Sequence, residues 1–197
     1  MPPRDRLESL ALLVRKRSVT IGQFTLASGR PSTYYIDARK TTMSAAGIEL
    51  IGELGLALVR RAGWAPSLVG GLTLGADPVA YAIARASCAA PPMIDAFTVR
   101  KEAKTHGARR RIEGCFSTGA AVVVVEDVVT TGQSALRAID AVAAEGGHVL
   151  GVITLVDREE GGREAIEHAG VTLRSLLSLR DLGLPPTLDV APGSSRA

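Results

Sequence analysis

The run Val122-Val123-Val124-Val125 limits the fold of this chain more than any other segment. A strand that shows no polar alternation has to be covered on both faces, the condition of a parallel sheet between layers of helix. The flanking sequence supplies those helices. Leu68–Gly70 reads as a short strand, Pro78–Ala89 as a helix and Ile94–Val99 as a strand. Further on, Ala121–Val125 is a strand, Ser134–Ala144 a helix and His148–Val156 a strand; Gly162–His168 is a helix and Val171–Leu177 the last strand. Strands alternating with helices through right-handed crossovers predict an α/β fold, a central parallel sheet with helices on both faces.

Ahead of this core, Leu7, Leu10, Ala11 and Val14 recur at helical spacing, which predicts a helix to Arg17. Thr20–Asp37 is rich in Thr, Tyr, Gly and Ser and reads as a hairpin, Gln23–Leu26 with Tyr34–Asp37, around Ser28-Gly29-Arg30-Pro31. Ser44 caps a long helix whose Ile48, Ile51, Leu54 and Leu58 form an apolar stripe. The expected organisation is a small N-terminal hood of helix and hairpin over residues 1–40 and an α/β core over 41–184. A frayed tail rich in Pro, Gly and Ser follows over 185–197.

Aromatic residues make up only 4% of the chain, so Ala, Val, Leu and Ile have to fill the core. No apolar run approaches the roughly 18 residues that span a bilayer, and the start lacks the pattern of a secretory signal. Cys88 and Cys115 have no metal-type spacing, and a reduced, cytoplasmic setting is expected. The net charge of +3 does not point to nucleic acid, but its distribution is uneven. Arg100, Lys101, Lys104, Arg109, Arg110 and Arg111 crowd together with Glu102 as the one acid among them. On composition alone this is a solvated or nucleic-acid-facing loop.

In open α/β sheets ligands bind beyond the carboxyl ends of the strands. Beyond Val125 come Glu126-Asp127, then Val128-Val129, then Thr130-Thr131-Gly132-Gln133-Ser134 at a helix entrance. Thr and Gly there offer hydroxyls and backbone N–H groups to a phosphate, helped by the helix dipole. Two carboxylates just before would repel a bare phosphate, so they call for another partner. Vicinal ribose hydroxyls, which donate to carboxylates, are suited to them. The layout fits a ribose phosphate. The competing reading is that the acids merely end a strand and that Thr131 or Ser134 caps a helix. Neither a Gly-Lys-Ser/Thr phosphate loop nor a Gly-x-Gly-x-x-Gly fingerprint is present.

Val122–Ser134 resembles the 5-phosphoribosyl 1-diphosphate (PRPP) motif of the type I phosphoribosyltransferases. Further segments resemble the orotate phosphoribosyltransferase family within that superfamily. They are Phe24–Arg30 with Tyr34-Tyr35-Ile36-Asp37, Thr73-Leu74-Gly75-Ala76-Asp77-Pro78, Val99–Gly107, and Asp157-Arg158. The resemblance implies PRPP held by Arg100, Lys101, Lys104, His106 and the stretch Glu126, Asp127, Val128, Val129, Thr130, Thr131, Gly132, Gln133, Ser134. It assigns Thr73, Leu74, Gly75, Ala76 and Asp77 to a pyrophosphate turn, with Asp77 offered as a holder of water around Mg²⁺. Orotate falls to Arg158, Thr130, Tyr35 and Ile36, and catalysis to Lys104, His106 and Asp127.

Pyrophosphate leaves as the ribose gains oxocarbenium character, so cations that arrive over the leaving group when a loop closes are an efficient device. By resemblance, the loop of residues 99–112 reaches into the neighbouring subunit of a homodimer, and Mg²⁺ is held mainly by PRPP and water. Neither nucleic acid nor a membrane is expected as a partner.

Several assignments carry a plainer alternative. Thr73–Pro78 also reads as an ordinary strand–helix connection, His106 as a solvated loop residue, and Arg158 as a surface ion pair with Glu159 or Glu160. The chain departs from the family at Ala27 and at Leu74-Gly75-Ala76, where cations are common. Arg39-Lys40 is offered as compensation, and the run Arg109-Arg110-Arg111 replaces a glycine-rich continuation. The competing functions are a purine or uracil transferase and a non-catalytic, nucleic-acid-binding regulator that kept the pocket.

Overall fold

A computed structural model of the chain describes residues 4–25, 31–102 and 111–185. Helix α1 (Arg4–Ser18) leads directly into the antiparallel hairpin β1 (Val19–Thr25) and β2 (Pro31–Ile36). The hairpin strands are longer than the sequence pattern indicated, because Val19 pairs with Ile36 and Thr25 with Pro31. A one-turn helix α2 (Arg39–Thr42), which has no apolar periodicity to announce it, precedes α3 (Ala45–Arg61). Ser44 caps α3 as expected, its Oγ accepting from the Gly47 N–H at 3.1 Å.

The core alternates β3 (Leu68–Leu72), α4 (Ala76–Ala89), β4 (Asp95–Val99), β5 (Ile112–Gly114), β6 (Ala121–Val129), α5 (Gln133–Ala144), β7 (His148–Asp157), α6 (Gly162–His168) and β8 (Leu173–Ser178). Its six strands lie in the order β5-β4-β3-β6-β7-β8. All neighbours are parallel except β5, which runs antiparallel to β4. That edge strand was not anticipated: three residues, Ile-Glu-Gly, are too short to show a period. The stretch after Val99 is thus the connection of a hairpin, Val99 pairing with Ile112.

The valine run explains why β6 sits at the centre. Val123 and Val125 pack with Ile51, Leu54 and Ile83 on the α3–α4 side. Val122 and Val124 pack with Phe97, Ala138 and Ile166 on the α5–α6 side. All four are fully buried, each contributing about 1.5–3 kcal/mol. Strand β6 does not stop at Val125. Val128 and Val129 extend the ladder opposite Val156 and Asp157, so the acid pair lies within the strand, Glu126 opposite Thr154. The hood packs on this core through Leu10 and Val14, both fully buried.

Candidate active site

Strands β3, β6 and β7 are parallel neighbours, so their carboxyl ends open on one edge of the sheet. The chain runs outward from β3 to β4 on one side and from β6 to β7 on the other, which makes the β3–β6 boundary the topological switch point. A cleft of about 230 Å³ lies beside this boundary. It is lined by Glu126, Val128, Val129, Thr130, Thr131, Gly132, Gln133, Ser134 and Ala135. Gly132 is the N-cap of α5 at φ +78°, a left-handed conformation that lets the chain turn from strand to helix within three residues. Neither Thr131 nor Ser134 is the cap, contrary to the competing reading. With no side chain at the N-cap, the first-turn N–H groups remain for an anion.

Glu126 is only 6% exposed, and its Oε2 has no hydrogen-bond partner among the described residues. Desolvation and the adjacent Asp127 push its carboxyl well above the usual range. Asp127 is also raised by burial, although its Oδ1 accepts the Val128 N–H at 2.9 Å. Arg39 draws it back towards ionisation. A buried carboxyl oxygen without a donor, next to a second, half-buried acid, is prepared for a ligand that brings hydroxyls or a cation.

Across the switch point, Thr73–Gly75 connects β3 to α4, and Ala76 and Asp77 open that helix, which begins two residues before the predicted Pro78. A Cβ on Gly75 would lie 2.5 Å from Asp127 Oδ1, so the β3–α4 turn touches the Asp127 carboxylate and any side chain here would have to displace it. Asp77 is buried; its Oδ2 accepts the Thr73 hydroxyl at 2.7 Å and its Oδ1 the Thr98 hydroxyl at 2.8 Å.

The β7 end brings Arg158 to the same edge, its N–H donating to Val129 O at 3.0 Å. The guanidinium pairs with Glu160 Oε1 at 2.8 Å and lies 5.3 Å above the centre of the Tyr34 ring. The Glu160 pair offered as an alternative is therefore present, but it is buried: the two side chains are 6% and 3% exposed. Tyr34 and Ile36 are buried, whereas Tyr35 is exposed and tilts against Phe24, ring centres 5.7 Å apart.

Of the basic stretch, Arg100 and Lys101 are exposed at the end of β4, and Arg100 pairs with Glu113 at 3.6 Å. Arg111 has a different place. Its Nη2 reaches Arg100 O and Lys101 O at 3.3 and 3.5 Å, and Glu145 Oε1 accepts the N–H groups of Arg111 and Ile112. It fastens the base of the hairpin. Lys104, His106, Arg109 and Arg110 lie outside the described residues, as do Ala27 and the residues beyond 185. Sequence reasoning missed Thr98, Tyr34 and the Gly75–Asp127 contact, because each depends on a neighbour distant in sequence.

An acid pair and an open helix N-terminus meet at a switch point, and the comparisons give the class of the chain. The family model described as "Phosphoribosyl transferase domain" matches residues 49–175, well over half of the chain. A relative from Mycobacterium tuberculosis, an orotate phosphoribosyltransferase, is 55% identical over 180 residues, covering 91% of this chain and 97% of its own. A crystal structure of the M. tuberculosis orotate phosphoribosyltransferase with Fe(III) dicitrate superposes with a TM-score of 0.82 at 53% identity, covering 91% of this chain and 99% of that one. Another, in complex with PRPP, gives 0.77 at 49% identity with the same coverage. The chain belongs to the orotate phosphoribosyltransferase family.

Proposed function

We propose that the chain transfers ribose 5-phosphate from PRPP to orotate, giving orotidine 5'-monophosphate and pyrophosphate on the route to UMP. The observation that carries this is the cleft at the end of β6, where the buried Glu126 adjoins an uncapped helix N-terminus and the half-buried Asp127 follows it in the strand. The ribose hydroxyls donate to the acid pair. The 5-phosphate takes the N–H groups and hydroxyls of Thr130–Ser134, and the pyrophosphate lies along Thr73–Asp77.

Orotate N1 attacks the anomeric carbon, the bond to the pyrophosphate oxygen breaks with its electron pair leaving on that oxygen, and the N1 proton passes to water. Because orotate is already anionic, the chain supplies orientation in place of a strong base. Arg158, steadied by Tyr34 and Glu160, receives the orotate carboxylate; Thr130 and the Tyr35-Ile36 backbone edge the ring. Arg100, Lys101, Lys104 and His106 neutralise the leaving group, and Asp127 faces the charge that develops on the ribose.

The acid pair suits Mg²⁺ in donor type, as a hard cation takes oxygen ligands. On this reading the ion is held mainly by PRPP and water. When bound, Mg²⁺ supplies charge neutralisation at the diphosphate. No helix of the described residues is long and apolar enough to cross a membrane. We place the enzyme in the cytoplasm as a homodimer whose residues 99–112 serve the neighbouring subunit, with hood 1–40, core 41–184 and tail 185–197 as its divisions.

The test is the fall in orotate absorbance on mixing with PRPP and Mg²⁺, run beside uracil, adenine and hypoxanthine. Turnover of orotate alone is expected; turnover of only the other three would overturn the assignment. A second expectation concerns Gly75. Its backbone is right-handed helical at φ −62°, so Ala fits the chain, and the added methyl displaces Asp127 instead. Gly75→Ala is expected to weaken PRPP binding by about 1–3 kcal/mol with little change in Tm, measured by titration and thermal unfolding. An unchanged PRPP affinity would separate Asp127 from the ribose.

A further inference from the structure

The carboxylate of Asp77 joins the β3–α4 turn by side chains to β4, the strand that feeds the basic hairpin. It sits in the first turn of α4, 8% exposed. Thr73, the first residue of the turn, donates its hydroxyl to Oδ2 at 2.7 Å, and Thr98, the penultimate residue of β4, donates to Oδ1 at 2.8 Å. With the Thr98 hydrogen committed to Asp77, the Tyr81 hydroxyl at 3.3 Å is left to donate to Thr98 Oγ1. A backbone bond runs alongside, Thr73 N–H to Val99 O at 2.8 Å. Hydrogen bonds to an ionised acceptor are about twice as strong as neutral ones, and this acceptor lies at a helix N-terminus, where negative charge is favoured.

We propose that Asp77 is a positioning residue: through Thr73 and Thr98 it fixes the turn that receives the leaving pyrophosphate against the strand end that carries Arg100 and Lys101. This rests on the reading of Thr73–Asp77 as the pyrophosphate turn. The carboxylate acts through the two threonines, and its effect falls on the diphosphate end of PRPP and leaves orotate alone. On this reading Thr98 acts only through its bond to Asp77, so removing its hydroxyl tests the geometry of the turn.

The experiment compares Thr98→Val, which keeps the shape and loses the hydroxyl, with Thr98→Ser, Asp77→Asn and the Asp77→Asn/Thr98→Val double variant. For each, KM for PRPP, the inhibition constant of inorganic pyrophosphate, KM for orotate and Tm are measured. Thr98→Val and Asp77→Asn are expected to raise both diphosphate constants about tenfold, the scale of one lost hydrogen bond to a charged group. KM for orotate stays unchanged, Thr98→Ser stays near wild type, and the double variant is no worse than Asp77→Asn. A diphosphate defect in Asp77→Asn with none in Thr98→Val would overturn the proposal, since Asp77 would then act on the ligand or its metal directly. A fall in Tm with all kinetic constants unchanged would overturn it as well. Failure of the wild type to consume orotate with PRPP would instead count against the assigned reaction.

Discussion

Replacing Lys104 with alanine is expected to lower kcat about 10²–10³-fold, the cost of removing one charge-stabilising donor from a transition state, and to leave PRPP affinity nearly intact. The asymmetry follows from when the charge appears. In bound PRPP the diphosphate is already neutralised in part; the additional charge develops only as the glycosidic bond breaks. On the proposed reading, a cation that arrives as the site closes acts on the transition state and little on the ground state. Equilibrium titration with PRPP, set beside steady-state turnover, separates the two. Equal losses in binding and turnover would mean that Lys104 holds the substrate without discriminating the transition state.

Changing Glu126 to glutamine is expected to stabilise the free protein at alkaline pH and to weaken PRPP binding by about tenfold or more, as an amide NH₂ cannot accept a ribose hydroxyl. Burial and the neighbouring Asp127 raise the Glu126 pKa above its unfolded value. The folded state thus holds this proton more tightly than the unfolded chain does, and stability falls as pH climbs from the ordinary carboxylate range through the raised folded value. The slope from one group is at most about 1.4 kcal/mol per pH unit. Glutamine has no proton to lose, so the Tm difference in favour of the variant should widen with pH. Parallel Tm–pH curves for the two proteins would sink this account. The site holds a costly acid for its ligand, a common exchange of stability against function.

Much of this was legible in the chain because it depends on residues close in sequence. The valine run foretold a strand covered on both sides, and β6 has two packed faces. Of the ordered string from Glu126 to Ser134, every residue but Asp127 lines one cleft. Periodicity misplaced the ends of elements. β6 runs on to Val129 because β7 offers it partners, a matter of pairing that no local pattern records. β5 and α2 were missed because three and four residues carry no period. The glycine at position 75 looked like a lost cation when compared with the family; the structure shows a packing reason for it in Asp127, which lies 52 positions later in the numbering of the chain. Arg158 shows the same limit. The sequence offered either a ligand-binding arginine or a surface ion pair, and the side chain is buried, paired with Glu160 and stacked on Tyr34.

The stitched base of the β4–β5 hairpin has an evolutionary consequence. Arg100 N–H bonds to Arg111 O, and Glu145 and Arg111 secure the same two chain ends. With those ends joined by the fold itself, doubling the number of residues between them would cost only about 0.6 kcal/mol of chain entropy. Insertions, deletions and changes of charge can accumulate there while the rest of the protein is left undisturbed. Descendants of this sequence can vary in length and charge between those ends at little cost in foldedness.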